Sequence, residues 1–341
     1  MLNGQHTFVK YVLIWGNNMK VKIIDAIPIE EIEKELTKER LLCRTNRANN
    51  ELYVVDAHNS PNTMREIGRL REITFREAGG GTGKDCDIDC FDTMEVPCQQ
   101  LIVWNPDAKE IIGGYRFILG ENVKYNENGQ PNLATSHLFH FSKKFLKDYM
   151  PYVLELGRSF VTPDYQSSKQ GSKSLFALDN LWDGLGALTV KYPQIKYFFG
   201  KFTMYPSYGV EGRDMILYFL KKYFRDTHRF VTPLNPLQIE TKLNTLQKII
   251  PPLPMLEAYK KLHVELKNLG LKLPPLVSSY INLSSTMLCF GTAINDEFGD
   301  VEETGILVTI ADIYEDKRRR HIETYINDIG KALKIDTLYI D

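Results

Sequence analysis

The chain has 341 residues, enough for one large domain or two ordinary ones, and its 43% hydrophobic and 25% charged residues are those of a globular protein. A net charge of -1 excludes the overall positive field of a nucleic-acid binder, and no apolar run reaches the ~18 residues of a membrane-spanning helix. Five cysteines (Cys43, Cys86, Cys90, Cys98 and Cys289) follow no disulfide-framework spacing and fit reduced thiols in the cytoplasm.

Residues 1–18 read as an upstream extension: the apolar core YVLIW is too short for a signal peptide, and Met19 opens a more ordinary sequence. Residues 28–42 predict an amphipathic helix with Ile29, Ile32, Leu36 and Leu41 on its stripe. A strand follows at 51–57. Thr63–Ala78 is again helical, with Met64, Ile67, Leu70 and Phe75 inward. Gly79–Asp92, GGGTGKDCDIDCFD, reads as a flexible acidic loop. Residues 99–106 and 110–119 form a hairpin, with Gly113–Gly114 marking a bulge. A short helix lies near Ser142–Tyr149.

Val153–Val161, VLELGRSFV, is bounded by Pro151 and Pro163 and reads as a buried central strand carrying two charges, Glu155 and Arg158. A loop leads to Ser172, the N-cap of a helix whose apolar face is Leu175, Leu178, Leu181, Leu185 and Leu188. Strands at 195–205 and 305–313 and helices at 210–224 and 255–270 follow, and a last helix carries the basic run 316–320. Strands alternating with helices predict an α/β or α+β fold. The chain divides into an N-terminal extension with a helix (1–60), a core (61–230) and a C-terminal region completing the fold (231–341).

Two motifs fail on inspection. GGGTGK ends like a phosphate-binding loop, but Ala78 stands where the first glycine belongs and Asp85 where a Ser or Thr should hold Mg²⁺. Cys86 and Cys90 lack a second ligand pair at zinc spacing, so no metal is expected.

What survives is an ordered series. Arg71 and Phe75 lie four apart on one helical face, Asp89 and Asp92 follow in the loop, Arg116 ends GGYR on the hairpin, and Glu155 and Arg158 sit on the central strand. From spacing alone this is equally a structural ion-pair network. The series R-x-x-x-F, D-x-x-D, G-G-Y-R and E-x-x-R resembles the N-acyltransferases that make amino-acid lipids, the ornithine lipid and glycine lipid synthases often labelled hemolysin-like. It is also similar to the acyl-homoserine lactone synthases. The likeness covers residues 60–225 well, and residues 274–313 are similar to the end of the lipid-synthase group.

The resemblance implies a GNAT-like acyltransferase fold with a mixed twisted sheet. It also implies transfer of a 3-hydroxylated fatty acyl group from an acyl carrier protein or coenzyme A thioester to a small amino acid, glycine before ornithine. No tightly bound cofactor is implied, and the enzyme would work in the cytoplasm in contact with the inner membrane surface. The usual GNAT pyrophosphate loop is not met, because Gln166 is followed by four residues before Gly171; this speaks against coenzyme A more than against acyl transfer.

Such a reaction needs a base for the acceptor's ammonium, and Glu155 in a buried strand suits the role. It needs N–H donors for the carbonyl oxygen, which a bulge between Glu155 and Arg158 at Gly157 would supply. Arg116 or Arg158 would hold the acceptor's carboxylate, and Asp89 and Asp92 would pair with Arg71 to close the loop. Gly171 and Ser172 would meet the donor's phosphate at a helix N-terminus. An apolar channel beside 198–204 or under 255–269 would take the acyl chain. Lys221, Lys222 and Arg225 would dock the carrier protein. Two further readings stay open: a homoserine-lactone-type synthase using S-adenosylmethionine, and a non-catalytic acyl or carrier-protein binder.

Overall fold

In the computed structural model, residues 21–166 and 176–326 are described. Among them, the strands are β1 (Leu41–Arg44), β2 (Glu51–Val55), β3 (Gln99–Asn105), β4 (Glu110–Leu119), β5 (Phe139–Phe141), β6 (Val153–Val161), β7 (Tyr197–Met204), β8 (Val231–Pro233), β9 (Leu288–Asn295) and β10 (Val301–Thr309). The helices are α1 (Ile29–Glu35), α2 (Pro61–Ala78), α3 (Cys90–Thr93), α4 (Lys143–Asp148), α5 (Ala177–Lys191), α6 (Val210–Tyr223), α7 (Leu243–Ile249), α8 (Met255–Asn268), α9 (Pro275–Ile281) and α10 (Glu315–Arg318). None is long and apolar enough to cross a membrane.

Eight strands form one mixed sheet in the order β1-β2-β3-β4-β6-β7-β10-β9, and β5 pairs with β8 apart from it. This is the α/β architecture expected. The helix predicted over 28–42 is shorter. It ends at Glu35, and Leu41–Arg44 instead pairs with β2 as the sheet's edge, a tertiary pairing that overrides the local helical stripe. The hairpin of β3 and β4 does carry a bulge, set beside Gly113, where Val103–Trp104 face Gly113 and Ile111. Gly113 itself is required by close approach: a Cβ there would lie 2.4 Å from the Phe160 carbonyl oxygen.

β6 and β7 are the one parallel pair in this sheet. They match Val153–Leu156 against Tyr197–Gly200 and pair no further, so Gly157–Val161 and Lys201–Met204 part company. Alternation along the strands then sorts the side chains. Tyr115, Phe117, Leu154, Leu156, Phe198 and Phe202 pack into the core under α5 and α6. Ile118, Val153, Phe199 and Leu307 face the other way, into an aromatic cluster with Phe139, Phe141 and Phe145. On that second face, by the same alternation, stand Gln100, Arg116, Glu155, Lys201 and Glu303, from five adjacent strands.

Candidate active site

On this face lies a cavity of about 440 Å³, walled by Asp87, Asp89, Arg116, Glu155, Arg158 and Lys201 among others. Glu155 is 2% exposed, and among the described residues no cation lies within 4 Å of its carboxylate. Burial raises its pKa above the ordinary 4.5, with the charges of Arg116 and Lys201 pulling only partly against it. It is a buried carboxyl group of raised proton affinity that lines the cavity.

Residues three apart on a flat strand face opposite sides, yet Arg158 lines the same cavity as Glu155. The register explains it. Gly157 pairs with Arg116 and Phe160 with Gly114, so Tyr115 alone stands opposite Arg158 and Ser159. The irregularity expected at Gly157 is therefore centred one residue later, and the left-handed backbone (φ 47°) falls on Arg158 itself. Its guanidinium is held from both sides. Nε lies 2.9 Å from Asp87 and Nη2 3.5 Å from Asp89, and the ring of Phe298 lies 4.5 Å beneath.

The acidic segment is a built element rather than a flexible loop. Asp89 N-caps α3, accepting from the N–H groups of Phe91 and Asp92, while Asp92 accepts the Asp89 N–H, a reciprocal capping box. Arg116 Nη1 donates to both oxygens of Asp89 at 2.7 Å and to Asp92 at 3.3 Å. Arg71 reaches Asp92 at 3.4 Å and donates to Gln100, which donates onward to Asp92 at 2.9 Å. Arg71 thus pairs with Asp92 but not with Asp89, which is committed to Arg116 and Arg158. Burial pushes the Asp89 pKa up, but Arg116, Arg158 and Arg71 together hold it below its ordinary value. Arg116 is driven upward by Asp92 and Asp89 against its own burial.

The glycines of 79–83 serve a fixed loop, not a moving one. Buried Glu72 accepts from Thr82 N at 3.1 Å, Thr82 Oγ1 at 2.7 Å, Gly83 N at 2.8 Å and Arg76 Nε at 2.7 Å. Gly79, Gly81 and Gly83 all take positive φ, which the wrapping of the chain around one carboxylate requires.

A second, smaller cavity of about 110 Å³ reaches through the parting of β6 and β7 to Tyr115, Leu156 and Phe202 on the opposite face, with Phe75, Leu276 and Tyr280 closing it. Phe75 thus lines this second cavity and packs on Phe298 at 5.1 Å rather than joining the ion pairs. The apolar channel expected beside 198–204 has only a partial counterpart in this cavity: Phe202, Leu276 and Tyr280 line it, but so do Arg158, Lys201 and Glu303. Under 255–269, Leu262 and Leu266 of α8 are buried and line neither of these two cavities. Lys222 is also spent internally, on the Pro251 carbonyl at 2.9 Å, leaving Lys221 and Arg225 exposed. Gly171 and Ser172 lie outside the described residues.

Reading the series alone misses Asp87, Lys201 and Glu303. Lys201 pairs with Glu303, and burial lowers its pKa below the ordinary 10.5. The signal was present: Lys201 is a lone charge in the apolar strand YFFGKFTM, as Glu155 and Arg158 are charges in theirs.

Residues 70–174 match the Acetyltransferase (GNAT) domain family. The chain is 59% identical to the glycine N(alpha)-acyltransferase of Bacteroides thetaiotaomicron, over 92% of this chain and 93% of that one. It is 57% identical to the glycine N(alpha)-acyltransferase of Phocaeicola vulgatus, over 92% and 96%. Among solved structures, a CoA-dependent acyl-homoserine lactone synthase with S-adenosylmethionine and isopentyl-CoA shares 10% identity at a TM-score of 0.35, over 82% of this chain and 90% of that one.

Proposed function

The chain belongs to the family of the glycine N(alpha)-acyltransferases and is a GNAT-fold N-acyltransferase; on that premise we propose that it moves a fatty acyl group from an acyl carrier protein thioester to the amine of glycine. The observation that carries the reading is Glu155: a buried carboxylate without an ion-pair partner among the described residues, facing a cavity beside a strand bulge. Glycine arrives as an ammonium, and Glu155 takes its proton. Burial, which raises the proton affinity of the carboxylate, makes that transfer easier than it would be to an exposed carboxylate.

The freed amine attacks the thioester carbon. Negative charge then grows on the carbonyl oxygen, and backbone N–H groups at the bulge around Arg158 stabilise it. Arg158, whose side chain is 16% exposed toward the cavity, orients the acceptor's carboxylate. Arg116, Asp89, Asp92 and Arg71 act one step back, holding the wall rigid. The donor's arm lies along the open edges of β6 and β7, where unpaired backbone groups can bond to its amides as an added strand would. Its acyl chain enters the second cavity, past Phe75. The relatives' name favours glycine over ornithine, and the motif resemblance read from the sequence implies a 3-hydroxylated donor. Product enters lipid synthesis, with the enzyme cytoplasmic and at the inner membrane surface.

The test is expression in a host lacking amino-acid lipids, with new lipids read by mass spectrometry. N-acyl glycine supports the proposal. N-acyl ornithine, or an acyl-homoserine lactone formed from S-adenosylmethionine, would replace the acceptor. No acylated product from folded protein supplied with carrier-borne donor would end it.

A further inference from the structure

Four residues line both cavities: Gly157, Arg158, Lys201 and Phe298. They mark the passage through the sheet. Leu156 opposite Gly200 is the last paired position, and Lys201 is the next residue of β7. If the acyl chain occupies one cavity and the acceptor the other, the thioester carbon and its sulfur lie in this passage. Of the four side chains here, those of Gly157 and Phe298 have no acidic proton, and the guanidinium of Arg158 does not release one in proteins. An ammonium can. Lys201 is also fixed in direction: Glu303, 1% exposed, pairs with it and accepts from Thr203 Oγ1 at 3.3 Å.

We propose that Lys201 is the general acid that protonates the departing thiolate. The assignment rests on the acyl-transfer reading. The amine lone pair forms the C–N bond, and the carbonyl π pair moves to oxygen. As it returns, the C–S bond breaks with its electrons on sulfur. The sulfur takes a proton from Lys201 Nζ, leaving a neutral amine beside Glu303. Glu155 by then carries the proton taken from the acceptor. Passing it through cavity water to Lys201 restores both groups. The second proton, which the nitrogen sheds as it becomes an amide, leaves through the same water to solvent, so each turnover turns one ammonium and one thioester into one amide, one thiol and one released proton. The groups facing Lys201 are Glu303, Arg158 and Glu155, and burial keeps its ammonium more acidic than an exposed lysine's.

The test compares leaving groups. Lys201→Met is paired with Glu303→Gln, so that no buried carboxylate is left alone, and Lys201→Arg keeps the charge without a transferable proton. Each is assayed with glycine and two donors carrying the same acyl group, an alkyl thioester and an S-phenyl thioester, whose thiolate leaves without help. The expected result is a loss of about 10²–10³-fold in kcat with the alkyl donor for both variants, within the range of general acid catalysis, and only a few-fold loss with the aryl donor. Equal losses with both donors, or near-normal alkyl activity in Lys201→Arg, would overturn the acid role, because charge or packing would then be what matters. A wild-type enzyme that releases no thiol in response to glycine with either donor would overturn the acyl-transfer-to-glycine reading, and the Lys201 assignment with it.

Discussion

Arg116 grips Asp89 with a single nitrogen, 2.7 Å from each carboxylate oxygen. Because Asp89 is also the cap of α3 and a partner of Arg158, this contact ties the hairpin, the acidic segment and the bulged strand into one wall. These ion pairs brace the wall, and Glu155, the proposed general base, stands outside them.

Glu155→Gln should lower kcat by about 10²–10⁴-fold, the usual contribution of a general base, with little change in KM for the acyl donor. The amide keeps the shape of the side chain, so circular dichroism should match wild type. Steady-state kinetics of N-acyl glycine formation check this, and a kcat within a few-fold of wild type would remove Glu155 from the chemistry.

The same substitution should stabilise the protein at alkaline pH. The folded-state pKa of Glu155 is raised above 4.5, so its contribution to stability is fully present below about 4.5 and is lost as pH rises through the raised value. Glu155→Gln removes that loss. Its melting temperature should exceed that of wild type by roughly 2–4 °C for each kcal/mol recovered at pH 8, and the gap should close as pH falls toward 4.5. A pH-independent difference between the two melting curves would contradict the buried, uncompensated carboxylate.

Asp92→Ala should be severely destabilising, by about 3–5 kcal/mol, because it strips a buried partner from both Arg71 and Arg116. Urea denaturation followed by tryptophan fluorescence measures it. A loss under about 1 kcal/mol would mean that water replaces the carboxylate, and that the wall is less dry than its 0% exposure indicates.

Leu276→Trp should shift chain-length preference. Leu276 lines the small cavity together with Phe202 and Tyr280, and a larger side chain there fills space needed by the acyl chain. The kcat/KM for long-chain donors should fall by about tenfold or more, the worth of ~1.4 kcal/mol, while an acetyl donor is unaffected. Uniform losses across chain lengths would place the acyl group elsewhere.

Much of this site was legible in the sequence because its parts lie on regular elements. The lone charges of β6 and of the hairpin mark side chains that do meet one cavity, Glu155, Arg158 and Arg116, although Arg158 reaches it only through the bulge. The four-residue spacing on α2 does not predict a shared cavity, since Phe75 lines the second one and Arg71 lines neither. The partners within the acidic segment were not legible. Whether Arg71 meets Asp89 or Asp92 depends on a four-residue helix whose cap reverses the chain, and Asp87 enters only because that reversal brings it against Arg158. The glycine-rich run misleads for a related reason: it looks loose until Glu72, seven to eleven residues earlier in the chain, is seen to gather its N–H groups. Nor could the sequence show that the bulge strains Arg158 instead of Gly157, since that depends on where β4 runs alongside.

The pairing of β6 with β7 has a mechanical consequence. The sheet is two antiparallel plates, one ending in β6 and the other beginning at β7, riveted by the match of Val153–Leu156 with Tyr197–Gly200. Below the rivet the plates are splayed, and a ligand lying in the seam would act as a splint between them. A loaded enzyme should then be stiffer and more heat-resistant than an empty one, by an amount set only by how far the ligand exceeds its dissociation constant. On the proposed reading, the donor would be part of the architecture for as long as it is bound.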